Sequence, residues 1–213
     1  MSYVEICGFG PYDSSTVRVE PSGAVSVFTG ISPHGQGQET TFAQMTADAL
    51  GADYDSIVVH HGDTANTPQG NGTMGSRGLV VGGTALKMSL DVIHDKAKQI
   101  AAQVLEASIE DIELENGLYH VRGVPQNGLT LADIADKAYS DALDGIEPGL
   151  ETTSFFKPSD ETFPFGAHVA VVEVFPETGE VKLLDVFTAD DCGVIISPMP
   201  LAPSGFNGVL VSV

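Results

Sequence analysis

The longest helix that the sequence predicts runs from Leu79 to about Leu105. Apolar side chains recur in this segment at alternating spacings of four and three residues, which places them on one helix face. They are Leu86, Leu90, Ile93, Ala97, Ile100 and Val104. A long helix with a complete apolar face must be covered by a sheet or by other helices. We therefore expect the chain to pack around this helix, most closely at Gly82, Gly83 and Ala85.

Shorter patterns predict strands that are paired through turns. The predicted β-hairpins pair residues 16–20 with 24–28, 112–115 with 118–121, and 166–175 with 181–189. The other predicted elements are a helix over 39–50 that ends at Gly51, a strand over 57–60, and a helix that begins at Thr130. Because strands and helices mix without a regular βαβ alternation, the fold class is α+β, or mixed α/β, rather than a doubly wound sheet.

Residues 141–164 show no regular pattern and are rich in Gly, Pro, Ser and acidic residues. A connection of this length is typical of a functional or mobile segment, or of a boundary between lobes. The chain has 213 residues, of which 42% are hydrophobic. This length predicts one domain with a real core, and the irregular connection could divide it into two lobes.

The charge of the chain excludes some partners. The sequence holds 9 Lys and Arg against 29 Asp and Glu, so its formal net charge is −20. Such an acidic surface repels phosphate backbones and anionic lipids, so we expect no nucleic-acid partner. No run of apolar residues is long enough for a membrane span, and no signal peptide is evident. The two cysteines, Cys7 and Cys192, are far apart in sequence, and a reduced, cytoplasmic setting is expected.

The first of two glycine-rich loops begins at Gly30 and contains the sequence His-Gly-Gln-Gly-Gln-Glu at residues 34–39, just before a predicted helix. Glycines at alternate positions let backbone N–H groups approach a ligand, and a helix N-terminus favours an anion. The amides of Gln36 and Gln38 suit the edge of a heterocycle. An ordinary solvated turn before a helix explains the same residues about equally well, since short Gly motifs recur by chance.

The second glycine-rich loop spans Gly70–Arg77 and contains the spacing G-x-G-x-x-G before the long helix. This spacing resembles a dinucleotide-binding fingerprint, but eight residues separate the preceding strand from Gly70, and no acidic residue follows at the end of a next strand. The feature that remains is a glycine-rich turn with Ser76 and Arg77 at a helix N-terminus, which suits a phosphate or pyrophosphate. Two such loops in one chain favour a phosphate-bearing cofactor.

Other candidate sites have less support. Consecutive strand residues such as His60 and His61 point to opposite faces, so they do not suit one metal ion. The segment at residues 190–193, Asp-Asp-Cys-Gly, has no histidine at ligand spacing and no basic neighbour that would lower the thiol pKa. We expect an ordinary turn there and no protein-ligated metal.

Both loops, together with several shorter blocks, resemble the large, molybdopterin-binding subunit of the xanthine oxidase family of molybdenum hydroxylases. The likeness is strongest to the carbon monoxide dehydrogenase-like and aldehyde oxidase-like branch. The blocks are E-I-C-G-F-G at residues 5–10, T-V-R-V at 16–19, T-G-I-S-P-H-G-Q-G-Q-E-T-T-F-A-Q at 29–44, G-D-T at 62–64, G-T-M-G-S-R at 72–77 and D-D-C-G at 190–193. The resemblance extends over about residues 3–199, and residues 1–199 are expected to form an internal fragment of the molybdopterin-binding domain.

The resemblance implies a cofactor and the residues that bind it. The intact enzymes carry molybdenum on a molybdopterin, here expected as the cytosine dinucleotide, and hydroxylate an aldehyde or N-heterocycle or oxidise carbon monoxide. Electrons leave through iron–sulfur and FAD subunits or domains. By position, Gly35, Gln36 and Gly37 would bind the pterin and its phosphate. The pterin or the pyrophosphate would contact Gly75, Ser76, Arg77 and Gly78; several relatives have Ser in place of Gly78.

Parts of the family pattern are missing from the sequence. The G-G-x-F-G pterin loop and the G-E catalytic glutamate are absent, and residues 200–213 form a tail without family likeness. The resemblance therefore implies no catalytic residue in this span, an inactive isolated chain with no bound cofactor, and a need for the rest of the large subunit. We expect self-association through an uncovered apolar face, for which the helix over 79–105 is the first candidate. The alternatives are a nucleotide-binding oxidoreductase domain that uses Gly70–Gly75, and a non-catalytic scaffold subunit.

Overall fold

The computed structural model describes residues 1–67, 69–140 and 143–198, so the predicted tail over 200–213 lies outside the described residues. The strands are β1 (Ser2–Val4), β2 (Asp13–Val19), β3 (Val25–Thr29), β4 (Ile57–His60), β5 (Ile112–Glu115), β6 (Leu118–Val121), β7 (Leu129–Thr130), β8 (Glu151–Phe156), β9 (Phe165–Phe175) and β10 (Glu180–Asp191). The helices are α1 (Gln38–Leu50), α2 (Thr84–Val104) and α3 (Leu131–Ser140). A π-helical turn, Gly78–Gly83, leads directly into α2.

The strands form three sheets, in the orders β4-β3-β2-β8, β5-β6-β7 and β1-β9-β10. The β3–β4 pair is parallel and the other strand pairs are antiparallel. All three predicted hairpins are present, as β2–β3, β5–β6 and β9–β10. The mixed helix and sheet architecture agrees with the predicted fold class.

Helix α2 packs against β2 and β8 of the four-stranded sheet and contacts both α1 and α3. Its predicted apolar face is buried at Leu86, Leu90, Ile93, Ala97 and Ile100. These side chains pack in one core with Val17 and Val27 of the central hairpin and with Ile134 of α3. The long helix is therefore the centre of the fold, as its periodicity predicts.

Strand β8 corrects the prediction of an irregular connection over 141–164. Residues 151–156 pair along the edge of β2, from Asp13 opposite Phe156 to Arg18 opposite Glu151. The sequence E-T-T-S-F-F lacks an apolar alternation because polar residues and Phe occur on both its half-buried face and its exposed face. The Thr and Phe residues of this segment still have a high strand propensity, which a search for apolar periodicity does not detect. Whether the remaining connection separates two lobes stays a prediction.

The β9–β10 ribbon is apolar and exposed on both faces. Paired residues share a face, so Val169 and Phe187 lie on one side and Val172 and Leu183 on the other. Each of these four side chains is about half exposed. Helix α2, expected to supply an uncovered apolar face, shows only Met88 and Val92 as large exposed apolar side chains. The prediction of α2 as that face is wrong because the sheet and α3 cover its apolar stripe.

No helix among the described residues is both long and apolar enough to cross a bilayer.

Candidate functional site

The first glycine-rich loop ends at the N-terminus of α1 without a side-chain cap. Gly37 is the N-cap residue in the left-handed region, and Gly35 also has a positive φ of 119°. A Cβ atom on Gly35 would meet nothing within 4 Å, so the backbone there borders open space. Gln36 folds back on the loop: its Oε1 accepts from His34 N at 2.8 Å, and its Nε2 lies 3.0 Å from His34 Nε2. This loop offers backbone N–H groups and one locally held amide.

The second loop turns sharply at Gly75 and Ser76, whose φ angles are 53° and 50°. A Cβ atom on Gly75 would lie 1.8 Å from Cε1 of the half-exposed Phe9, so a larger residue would displace that ring, and the positive φ also favours glycine. Ser76 is nearly buried, and its Oγ donates to Glu5 Oε1 at 2.7 Å. Burial also raises the pKa of the neighbouring Cys7 thiol. The E-I-C-G-F-G block at residues 5–10 thus packs against the second loop and holds it in place.

The two loops meet at their beginnings. Gly72 N donates to Gly30 O at 3.1 Å, and a Cβ atom on Gly30 would lie 2.7 Å from the Cα of Gly70. The next residue, Ile31, is buried against the π-helical turn, since a Cβ atom on Gly82 would lie 2.1 Å from Ile31 Cγ1. The start of the first loop, at Gly30 and Ile31, therefore contacts both the start of the second loop and the π-helical turn that follows it.

Arg77 does not present its guanidinium to solvent. Its side chain is fully buried in an ion pair with Asp13, with 2.7 Å between Nη1 and Oδ2. Nη1 also donates to Gly72 O at 3.2 Å, and Nη2 donates to Pro11 O at 2.6 Å. Burial raises the pKa of Asp13, while the Ser14 N–H and Arg77 act to lower it. The Arg77 guanidinium, which the sequence predicts as a contact for an anion, is thus hydrogen-bonded inside the protein. Gly78 is likewise buried.

Each loop carries buried polar atoms that have no hydrogen-bond partner. Both amide atoms of Gln38, which is only 6% exposed, and the Oγ1 of Thr73 are in this condition. In the described part of the chain the same holds for Gln44 Oε1, Arg77 Nε and His120 Nε2. A buried polar group without a partner costs about 1–3 kcal/mol. Beside Arg77 Nε, which lies inside the buried ion pair, Gln38 and Thr73 are therefore the two loops' side chains with a buried polar atom that lacks a partner.

The sequence pointed to Gln38 through its amide, but it gave no particular reason to choose Thr73. Thr73 lies inside the G-T-M-G-S-R block, where glycines and charged residues draw attention first. Asp13 was also missed, because an acidic residue at the start of a strand usually lies at the surface. Thr73 is recognised by its buried hydroxyl without a partner, and Asp13 by its burial and hydrogen bonds. No sequence pattern indicates either residue.

No group of three or more His, Cys, Asp or Glu side chains that could hold a metal ion occurs within residues 1–67, 69–140 and 143–198. His60 stacks on Phe28 with 4.8 Å between ring centres. His61 Nε2 lies 2.6 Å from Glu39 Oε1. Cys7 and Cys192 are both free thiols, and both line a cavity of about 300 Å³ that Val80 of the π-helical turn also borders.

Comparison with protein families gives a match over residues 1–202 to the molybdopterin cofactor-binding domain. The chain is 40% identical over 195 residues to the carbon monoxide dehydrogenase large chain of Hydrogenophaga pseudoflava. It is 40% identical over 190 residues to the nicotine 6-hydroxylase large subunit of Paenarthrobacter nicotinovorans. These matches cover 92% and 88% of this chain, but 24% and 23% of the relatives. The chain thus spans about a quarter of their length.

Solved structures give the same result. Reconstituted CO dehydrogenase from Oligotropha carboxidovorans superposes with a TM-score of 0.88 at 34% identity. Quinoline 2-oxidoreductase from Pseudomonas putida 86 superposes with a TM-score of 0.86 at 36% identity. Each match covers 95% of this chain, and 27% and 28% of the respective known chains. In sequence and in fold, this chain belongs to the molybdopterin cofactor-binding domain family of molybdenum hydroxylase large subunits.

Proposed function

We propose that this chain supplies part of the binding site for a molybdopterin dinucleotide in a molybdenum hydroxylase large subunit. The observation that carries the proposal is the set of unpartnered buried polar atoms at Gln38 and Thr73. They lie on two loops that meet at Gly30, and both loops lead into helix N-termini without side-chain caps. A ligand with amide-like edges and a phosphate would satisfy both kinds of group.

The predicted binding residues fit such a ligand mainly through their backbone. Gly35 borders open space and Gly37 is the N-cap residue of α1, so the first loop can bring its backbone close to a ligand. In the second loop Gly75 packs against Phe9, Ser76 donates to Glu5 and Gly78 is buried, so these residues would act by fixing the loop backbone. When bound, the cofactor supplies molybdenum-centred hydroxylation and electron transfer. The chain's own residues orient it and hold its anionic groups. The cytosine dinucleotide form is proposed from the family resemblance, and two separate anion-favouring helix ends suit the phosphates of a dinucleotide.

No residue of this chain is proposed as catalytic, since the catalytic glutamate of the family has no counterpart here. We expect the isolated chain to show no hydroxylase activity, because loss of a general base alone reduces the rate by about 10²–10⁴-fold. Turnover of an aldehyde, a purine or carbon monoxide with a dye acceptor would refute this expectation. The substrate of the complete enzyme is not proposed.

The partners follow from the apolar β9–β10 ribbon. Both of its faces are exposed here, whereas strands that are apolar on both faces are normally buried on both. We propose that the remaining parts of a large subunit cover the ribbon, with iron–sulfur and FAD subunits beyond them, and that the chain alone self-associates through it. A cytoplasmic location is also proposed, because both cysteines are free thiols.

Replacing Thr73 by Val tests the binding proposal, because it removes a buried hydroxyl that has no partner. The free protein should become slightly more stable, while its affinity for cytidine 5′-diphosphate should fall about tenfold, the loss expected for one hydrogen bond. Thr46→Val is the matched control: Thr46 is fully buried, but its Oγ1 already donates to Phe42 O at 2.8 Å. The control should lose stability and keep its affinity.

Two measurements on the same variants decide the proposal. Calorimetric titration gives the affinity for cytidine 5′-diphosphate, and thermal unfolding gives the stability. If Thr73→Val lowers stability and leaves the affinity unchanged, the hydroxyl is structural and the binding proposal fails. A parallel titration with NAD tests the alternative dinucleotide-binding role of Gly70–Gly75, and tighter binding of NAD than of cytidine 5′-diphosphate would favour that alternative.

A further inference from the structure

Asp13 lies at the junction of the two loops. It is the first residue of β2, and its carboxylate is fully buried. Oδ2 accepts from Arg77 Nη1 at 2.7 Å, and Oδ1 accepts from the backbone N–H of Ser14 at 2.9 Å. The same Arg77 Nη1 also donates to Gly72 O at 3.2 Å. Through Arg77, the Asp13 carboxylate is thus connected to the second loop near its beginning, at Gly72, and at its end, at Arg77.

The first loop begins against the same carboxylate. A Cβ atom on Gly30 would lie 1.7 Å from Asp13 Oδ1, so only glycine fits beside it. Gly30 in turn accepts from Gly72 N and donates through its own N–H to Ser14 O at 3.0 Å. The position of the Asp13 carboxylate therefore constrains where both loops leave the sheet.

Stability alone is a poor explanation for this arrangement. A buried ion pair gains little over a well-packed apolar pair, because both charges lose their hydration. Here the loss is not fully recovered, since Arg77 Nε has no partner. What the pair does provide is geometry: the planar guanidinium reaches Asp13, Gly72 O and Pro11 O at once.

We infer that Asp13 is a positioning residue for the dinucleotide-binding loops, and that it acts through Arg77 and Gly30. The choice of ligand in this inference rests on the proposed function, whereas the positioning of the loops by Asp13 does not depend on it. Arg77 then contributes to anion binding by fixing the loop backbone, and its own charge does not contact the ligand. The charge of Arg77 is neutralised inside the fold, and neutral N–H groups of the loops face the anion.

The test compares Asp13→Asn, Arg77→Gln, the double variant and a control in the complete chain. Ile134→Ala is the control, because Ile134 is fully buried in α3 and its loss lowers stability away from the loops. Amide hydrogen exchange is measured at Gly30 and Gly72 without ligand. Affinities for cytidine 5′-diphosphate and for inorganic pyrophosphate are measured over a salt series.

We expect Asp13→Asn to speed exchange at both glycine amides about tenfold, a change that Ile134→Ala does not produce at equal loss of melting temperature. Each single variant should weaken cytidine 5′-diphosphate binding about tenfold, and the double variant no more than either single one, because both remove one device. The slope of log affinity against log salt should stay the same in Arg77→Gln. If Asp13→Asn does not fold, Arg77→Lys takes its place, since it keeps the charge and loses the second arm to Pro11.

Three outcomes would overturn a claim: two refute the positioning role, and the third refutes the proposed function. Unchanged exchange and affinity in Asp13→Asn refute the positioning role. A larger loss in Arg77→Gln than in Asp13→Asn, together with a flatter salt slope, makes Arg77 a direct ligand of the anion and also refutes it. A wild-type chain that binds neither probe refutes the proposed function, while the exchange data still decide whether Asp13 positions the loops.

Discussion

Replacing Gly82 by Ala should destabilise the protein although it improves the helix. Gly82 lies in the π-helical turn before α2 and is buried against Ile31 of the first loop. Alanine is favoured over glycine by about 1 kcal/mol in a helix interior. The new Cβ atom, however, would lie 2.1 Å from Ile31 Cγ1 and 3.0 Å from Ile31 Cδ1. Forcing such a contact in a packed core costs about 1–3 kcal/mol.

The net effect follows from these two opposing magnitudes. The contact at 2.1 Å is far inside van der Waals distance, and Ile31 is fully buried, so its side chain has no free space to enter. We therefore take the upper part of the overpacking range and expect a net loss of about 1–2 kcal/mol in the free energy of unfolding. Chemical denaturation with urea measures it, provided that the slope m is unchanged.

Two further variants show whether the reasoning is right. Gly83→Ala is the matched neighbour, because its Cβ atom would meet mainly Leu79 Cδ1 at 2.6 Å, the mobile end of a half-buried side chain. It should be close to neutral. In a background of Ile31→Ala, Gly82→Ala should become neutral or stabilising, because the clashing atoms are gone. A loss that stays the same in that background would refute the steric explanation.

Three other predictions concern the capping box, acid stability and the exposed ribbon. Thr130→Ala should lower the free energy of unfolding by about 1 kcal/mol, measured by urea denaturation, because Thr130 and Asp133 cap α3 reciprocally through hydrogen bonds of 2.6–3.2 Å. Hydrogen bonds from Thr130 also hold the pKa of Asp133 below its ordinary value, so their contribution to stability is present at neutral pH and is lost as the pH falls below about 4. In thermal unfolding over an acid series, the melting temperature of Thr130→Ala should therefore fall less than that of the wild type. Replacing Val172 and Val181 by Thr should reduce the binding of a hydrophobic dye and the self-association measured by light scattering, whereas Met88→Gln with Val92→Thr on α2 should change neither. The opposite result would show that the apolar face for self-association lies on α2.

Local patterns were enough to predict most of the elements. Helix α1 ends at Gly51 in the left-handed region, as predicted, because a glycine there can accept the positive φ that closes the helix. The turn of the β5–β6 hairpin uses Asn116 and Gly117, both with positive φ, as the Asn-Gly pair predicts. In these cases the decisive interactions lie within a few residues of each other, so the sequence carries the necessary information.

Features that depend on distant residues could not be predicted in the same way. Strand β8 exists because residues 151–156 find the free edge of β2, more than 130 positions earlier in the chain. The β9–β10 ribbon is likewise exposed because no other described element covers its two faces. An apolar segment has the same sequence whether it is covered or not, and for this reason the uncovered face was assigned to α2 instead.

The orientation of Arg77 shows the same difficulty in the binding site, and it changes the expected nature of anion binding. An arginine beside a glycine-rich turn predicts a charged contact to phosphate, but its guanidinium is paired with Asp13 out of reach of solvent. The chain as a whole carries a formal charge of −20, so its long-range field opposes an anion. In the proposed site, binding would then depend on short-range donors, namely backbone N–H groups at the two helix ends and the polar side chains of Gln38 and Thr73. Because such neutral donors exchange few counterions, affinity for cytidine 5′-diphosphate should vary little when salt is raised, whereas a steep loss of affinity would show that a free cation contacts the phosphates after all.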